Sequence, residues 1–119
     1  MLSTWTEGRL KSFLTSVIRA GFRKYPAKYE CLNAAKTEKK VNEATGRLAW
    51  HYKCNKCKKL FVASDVQVDH IKPVVDPKKG FVDWNTFIER LYCGADNLQC
   101  LCKGCHAVKT EKERKVRNK

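Results

Sequence analysis

Two cysteine pairs constrain this chain more than any other feature: Cys54-x-x-Cys57 and Cys102-x-x-Cys105. A pair spaced this way turns both sulfurs toward one point, and two pairs supply the four thiolates of a tetrahedral site. Zn²⁺ suits such a site and is redox-inert. A closed set of four sulfurs leaves no coordination position open, so the expected role is structural. The competing reading is a redox CxxC pair. The gap between the pairs is long for a zinc ribbon, so residues 60–97 must loop out and return. The remaining thiols, Cys31, Cys93 and Cys100, read as small buried hydrophobes, and spacing favours Cys102 over Cys100 as the partner of Cys105. Seven cysteines without an export signal point to metal rather than disulfides, in a reducing cytosol.

The chain of 119 residues fits one domain, whose core is too modest to refuse help from a metal. Its 25 Lys and Arg against 12 Asp and Glu give a net charge of +13. An imbalance of that size predicts an anionic partner, nucleic acid first and a membrane surface second. No apolar run is long enough for a spanning helix, and we expect no membrane association.

Residues 1–46 read as helical. Thr4 or Thr6 caps a first helix carrying Leu10, Phe13, Leu14, Val17 and Ile18 on one face, and Gly21 ends it. Pro26 opens a second helix through Ala35, with Tyr29 and Leu32 facing inward. The polar run Lys36 to Gly46 reads as a linker or loop. Residues 47–75 read as short strands at 48–52, 60–63 and 66–71, with a tight turn at Cys54–Cys57. Asp83 caps a helix bearing Trp84, Phe87, Ile88 and Leu91, and Gly94 stops it. Residues 97–101 are extended, and a charged helix runs from Cys102 to about Arg117.

Two of the three histidines stand in conspicuous places. His70 follows Asp69 at the end of an apolar alternation, and His106 follows a cysteine of the second pair. The pattern Asp69-His70-Ile71-x-Pro73, then Asn97-Leu98-x-x-Leu101-Cys102-x-x-Cys105-His106-x-x-Lys109-Thr110, closely resembles the HNH endonuclease family, in particular its small phage and bacterial members with a four-cysteine zinc. The resemblance covers roughly residues 50–112. It implies an α+β fold: a ββα-metal core of two strands and a helix around one divalent ion, stapled by the zinc and preceded by the helical segment. The resemblance does not cover residues 1–46, and the chain as a whole reads as that helical segment (1–46) and a nuclease core with a basic carboxy-terminal helix (47–119), packed as one compact domain.

The resemblance also implies roles. His70 is the general base that deprotonates a water, and Asn97 orients its ring or its strand. In some members the equivalent Asn touches the metal instead. Asp69 and His106 hold a catalytic ion, Mg²⁺ or Mn²⁺ by ligand hardness, with Ni²⁺ or Zn²⁺ also accepted. The implied reaction is hydrolysis of DNA phosphodiester bonds, nicking or cutting double-stranded DNA with weak sequence preference and leaving 5′-phosphate and 3′-hydroxyl ends. Lys72, Lys103 and Lys109 are candidate phosphate contacts, within a wider basic surface that includes Arg9, Lys11, Arg19, Arg23 and Lys24 and the tail to Lys119. The amino-terminal helices are the expected extra DNA contact. His51 reads as structural, and Asp65, Asp76 and Asp83 are not assigned to a metal. Two alternatives stand beside this one: a non-catalytic zinc module that binds DNA or RNA, and the nuclease subunit of a phage packaging or replication assembly. A phage-encoded chain would act in the host cytoplasm.

Overall fold

A computed structural model describes residues 4–118. Lys119 of the expected basic tail lies outside the described residues. Helix α1 spans Glu7–Gly21 and begins where Thr6 accepts a hydrogen bond from the Arg9 amide at 3.2 Å. A 3-10 turn at Phe22–Lys24 leads into α2 (Pro26–Ala35), with proline in the first turn, where its missing N–H costs nothing. Strands β1 (Lys36–Asn42), β2 (Arg47–Lys53) and β3 (Leu60–Val62) form an antiparallel sheet in that order. Strand β4 (Val66–His70) pairs antiparallel with β5 (Leu98–Cys102), and α3 (Trp84–Leu91) sits in the long connection between them. Helix α4 (Lys103–Arg117) follows β5 directly and packs on both β4 and β5. The fold is therefore α+β, with four helices and two small antiparallel sheets among the described residues.

Two expectations are corrected. Lys36–Gly46 is a strand and turn, not a linker, so the segment 1–46 is helical only to Ala35. The turn closes through the Gly46 amide on the Asn42 carbonyl at 2.7 Å, with Gly46 at φ +73°, a conformation glycine adopts without steric penalty. Nothing apolar alternates along β1 because both of its faces are largely wet. Second, Tyr29, placed inward, is exposed, its hydroxyl donating to the Arg23 carbonyl at 2.7 Å. The shared apolar face of α1 is largely uncovered: Phe13 and Val17 are 50% and 53% exposed, and Leu10 and Ile18 are partly covered.

Burial is divided among small clusters. Ala27, Cys31 and Leu98 join α2 to β5. Val74, Phe87 and Leu91 seat α3, which Asp83 caps by accepting from the Thr86 amide at 2.7 Å. Phe22 packs against both clusters, so the α1–α2 junction ties the amino-terminal helices to the rest. The third cluster is Cys54, Leu101 and Cys102, with Phe61 and Cys105 against it. Clusters this small make a bound metal a sizeable part of the folding free energy.

Candidate metal centre and catalytic cleft

The β2–β3 turn and the β5–α4 junction bring the two cysteine pairs together. Their four sulfurs lie within 4.8 Å of one another, with Cys57 and Cys102 at 4.0 Å. Four bonds of ~2.3 Å in a tetrahedron place sulfurs about 3.8 Å apart, so the set fits one metal ion with little adjustment. The turn is shaped for this: the Lys58 amide closes onto the Cys54 carbonyl at 3.0 Å, and Lys58 takes a left-handed φ of 66°. Cys102 caps α4 by accepting from the Cys105 amide at 3.4 Å. Burial acts to raise the Cys54 thiol, but amides of Cys102, Cys57 and Lys56 aimed at its sulfur bring it down to about 6. Cys105 is pushed up to about 12, first by hydrogen bonding to Cys102 and then by burial. Four sulfurs this close cannot all ionise without a cation among them, and a metal resolves that conflict. Cys31 and Cys100 behave as buried hydrophobes, with Cys100 pushed up to about 11 by burial and by nearby sulfurs.

The second constellation stands on the other side of β5. Asp69 and His70 end β4, and His106 lies in the first turn of α4. His106 Nε2 is 3.7 Å from Asp69 Oδ1, too far for a hydrogen bond. The other carboxylate oxygen, Oδ2, accepts from Gln99 Nε2 at 3.1 Å and from Lys109 Nζ at 2.9 Å. His70 Nε2 lies 2.8 Å from the Leu91 carbonyl at the end of α3. A carbonyl only accepts, so Nε2 carries the proton and the neutral ring keeps its lone pair on Nδ1. The Phe22 ring packs on the imidazole with centroids 4.9 Å apart. Asp69 and His70 line a cleft of about 230 Å³ together with Arg19, Asp76, Lys109 and Arg117.

Asn97 does not touch the His70 ring. Its carbonyl accepts from the Ile71 amide at 2.8 Å and its Oδ1 from the Lys72 amide at 3.1 Å, which pins the chain just beyond His70. Lys109, expected at a phosphate, has its ammonium shared among Asp69, Glu113 at 2.7 Å and the His70 carbonyl at 2.9 Å. Burial lowers its pKa, yet the hydrogen bonds to Glu113 and Asp69 outweigh that and leave it raised. All three N–H directions are thus engaged within the protein, and Lys109 bolts α4 to β4. Lys72 and Lys103 are exposed. His51 is half-buried and bonded to the Ala49 carbonyl, as a structural residue is.

Sequence reasoning missed three contributors. Gln99 faces Asp69 across the β4–β5 ladder, and its Oε1 accepts from Asn55 Nδ2 at 2.9 Å, so a side-chain relay runs from the cysteine turn to Asp69. The Leu91 carbonyl is a backbone atom, invisible to residue typing. Arg19 was read as general basic surface, but α1 delivers it to the cleft. The β4–β5 register could have found Gln99; nothing in the sequence could have found the other two. No helix among the described residues is long and apolar enough to cross a membrane. No protein-family model, curated protein or solved structure matches this chain.

Proposed function

We propose that the protein is a metal-dependent endonuclease of the HNH type that hydrolyses DNA phosphodiester bonds, with zinc in the four-cysteine site. The observation that carries this reading is the approach of His106 on α4 to within 3.7 Å of Asp69 on β4, beside a cleft that Asp69 and His70 line, with the His70 ring oriented by the Leu91 carbonyl. Two metal–ligand bonds of ~2.1 Å span at most about 4.2 Å, so a 3.7 Å pair of Asp69 Oδ1 and His106 Nε2 can share one ion. Such an ion supplies charge to the phosphoryl oxygens and to the leaving oxygen.

The chain's own groups do the rest. His70 Nδ1 takes a proton from water, and the oxygen of that water forms its bond to phosphorus in line with the P–O3′ bond that breaks. The O3′ leaves as a hydroxyl after protonation from solvent, and the phosphate stays on the 5′ side. A neutral imidazole suits this role at neutral pH. The hydrogen bond to Leu91 fixes the tautomer, and Phe22 limits the ring's swing. Asn97 holds the backbone after His70, so it is a positioning residue. Arg19 and Arg117, at the wall of the cleft, offer phosphate contacts that Lys109 does not. The net charge of +13 supports a polyanionic substrate.

The test is cleavage of supercoiled plasmid with a panel of divalent ions beside the His70→Ala variant. Relaxed or linear product from the parent protein, dependent on the ion and lost in the variant, is the expected result. Undiminished cleavage by a clean His70→Ala preparation overturns the mechanism. Binding without cleavage under every ion replaces it with a non-catalytic zinc module.

A further inference from the structure

The β1–β2 hairpin is a feature the proposed chemistry leaves unused. Strand β3 pairs only with His51–Lys53, so beyond it Lys39–Asn42 and Arg47–Trp50 form a two-stranded ribbon that reaches roughly 13 Å. Residues 36–53 carry five Lys or Arg against two Glu. In the antiparallel register Lys39 faces Trp50 and Val41 faces Leu48, so these four side chains share one face. That face is uncovered: Val41 is 57%, Leu48 69% and Trp50 41% exposed. The Lys36 and Lys39 ammoniums lie 4.9 and 5.4 Å from the Trp50 ring centroid, close enough for cation–π attraction to gather two charges around one aromatic plane.

We infer that this ribbon is a second nucleic-acid contact, which grips duplex DNA beside the cleavage site through Lys36, Lys39, Lys40 and Trp50. The inference rests on the nucleic-acid reading above and adds to it a surface that lies outside the amino-terminal helices. Its support is charge complementarity and shape. A duplex major groove of ~12 Å admits a two-stranded ribbon, with lysines meeting the phosphates on either side. The apolar tip made by Val41 and Leu48 fits sugar and thymine-methyl surface. A second copy of the chain is a poorer occupant. As an edge strand, β1 carries a register shift between Lys36 and Lys39 and a run of charged side chains, both of which discourage strand-to-strand pairing. The ribbon also joins the cysteine turn directly, since Lys53 of β2 precedes Cys54, so a grip there is relayed to the metal-bound part of the fold.

The experiment measures binding of zinc-loaded protein to a fluorescent 30-base-pair duplex by anisotropy, at several salt concentrations and without added catalytic ion. The Lys36→Ala/Lys39→Ala/Trp50→Ala variant is expected to bind about tenfold more weakly, and its plot of log affinity against log salt to flatten by roughly 2, at ~0.9 per lost phosphate contact. Lys39→Glu/Lys40→Glu changes only exposed side chains, so it guards against misfolding, and a similar or larger loss is expected from it. Unchanged affinity and slope in this second variant overturn the inference. Unchanged DNA binding with a smaller mass by light scattering overturns it in favour of a copy-to-copy contact. Both readouts are of binding alone. Failure of the nuclease reading appears separately, as parent protein that leaves plasmid intact.

Discussion

The molecule holds two constellations of metal-ligand type on either side of one strand, and they are built on opposite plans. The four cysteines gather sulfur from two turns into a closed set, with Cys54 and Cys102 buried, Cys105 half-buried and Cys57 exposed. Asp69 and His106 bring one carboxylate oxygen and one ring nitrogen to 3.7 Å, backed by Gln99 and Lys109, with Asp69 lining a cleft. A closed set contributes to folding and has no position for a reactant. An open pair contributes little to folding and leaves room for water and a phosphate oxygen. The architecture couples them: β5 ends in a cysteine ligand, α4 begins with another, and His106 follows one residue later. The closed centre thus fixes the strand-to-helix angle on which the open one depends.

The largest effect should come from breaking the closed centre. Cys54→Ser removes a fully buried sulfur and a ligand of a site whose metal binding is also folding free energy, on the order of 10 kcal/mol for structural zinc. We expect loss of bound zinc and of cooperative thermal unfolding, by metal analysis and calorimetry. A chelator applied to the parent protein should do the same. Retention of a sharp transition without metal would place the folding free energy in the apolar clusters instead. Next in size is His70→Ala. If His70 is the base proposed above, cleavage should fall by about 10² to 10⁴, while metal content and melting temperature stay near those of the parent. Equal losses of stability and activity would mean that the two centres are not separable as described.

The same contrast explains what was legible in the sequence. The closed centre is written in residue type and local spacing, and helix α4, the strand pair β4–β5 and the caps at Thr6 and Asp83 follow ordinary local rules. The open centre is written only in part. Asp69, His70 and His106 are nameable as types, yet what orients them is not: a main-chain carbonyl at Leu91, and a glutamine that matters because of its cross-strand register. Strand β1 escaped notice because it buries neither face, so no alternation marks it, and only the Asn42–Gly46 turn hints at a hairpin. The stripe on α1 shows the converse. Periodicity reports that Leu10, Phe13, Leu14 and Val17 share a face, but not whether anything covers it. Tyr29 was placed inward on its ring, when its hydroxyl is satisfied locally by the Arg23 carbonyl.

The finest test of the comparison is the relay between the centres. Gln99 donates to Asp69 and accepts from Asn55, which sits inside the cysteine turn. Gln99→Ala cuts this thread without touching a sulfur or a candidate ligand of the catalytic ion. The half-buried side chain leaves no large cavity, so zinc content and melting temperature should hold. Asp69 loses one of the two donors that fix Oδ2, and its carboxylate becomes freer to rotate. Partners of this kind usually tune metal affinity by 10- to 100-fold. We expect the divalent-ion concentration for half-maximal cleavage to rise about tenfold, with the rate at saturating ion nearly restored. Gln99→Glu keeps the shape and the acceptor for Asn55 but replaces the donor to Asp69 with a second carboxylate, so its added negative charge should hold the ion at least as well while the hydrogen bond to Asp69 is lost. A rate that stays low at saturating ion in the alanine variant would move Gln99 from orienting Asp69 to shaping the cleft itself.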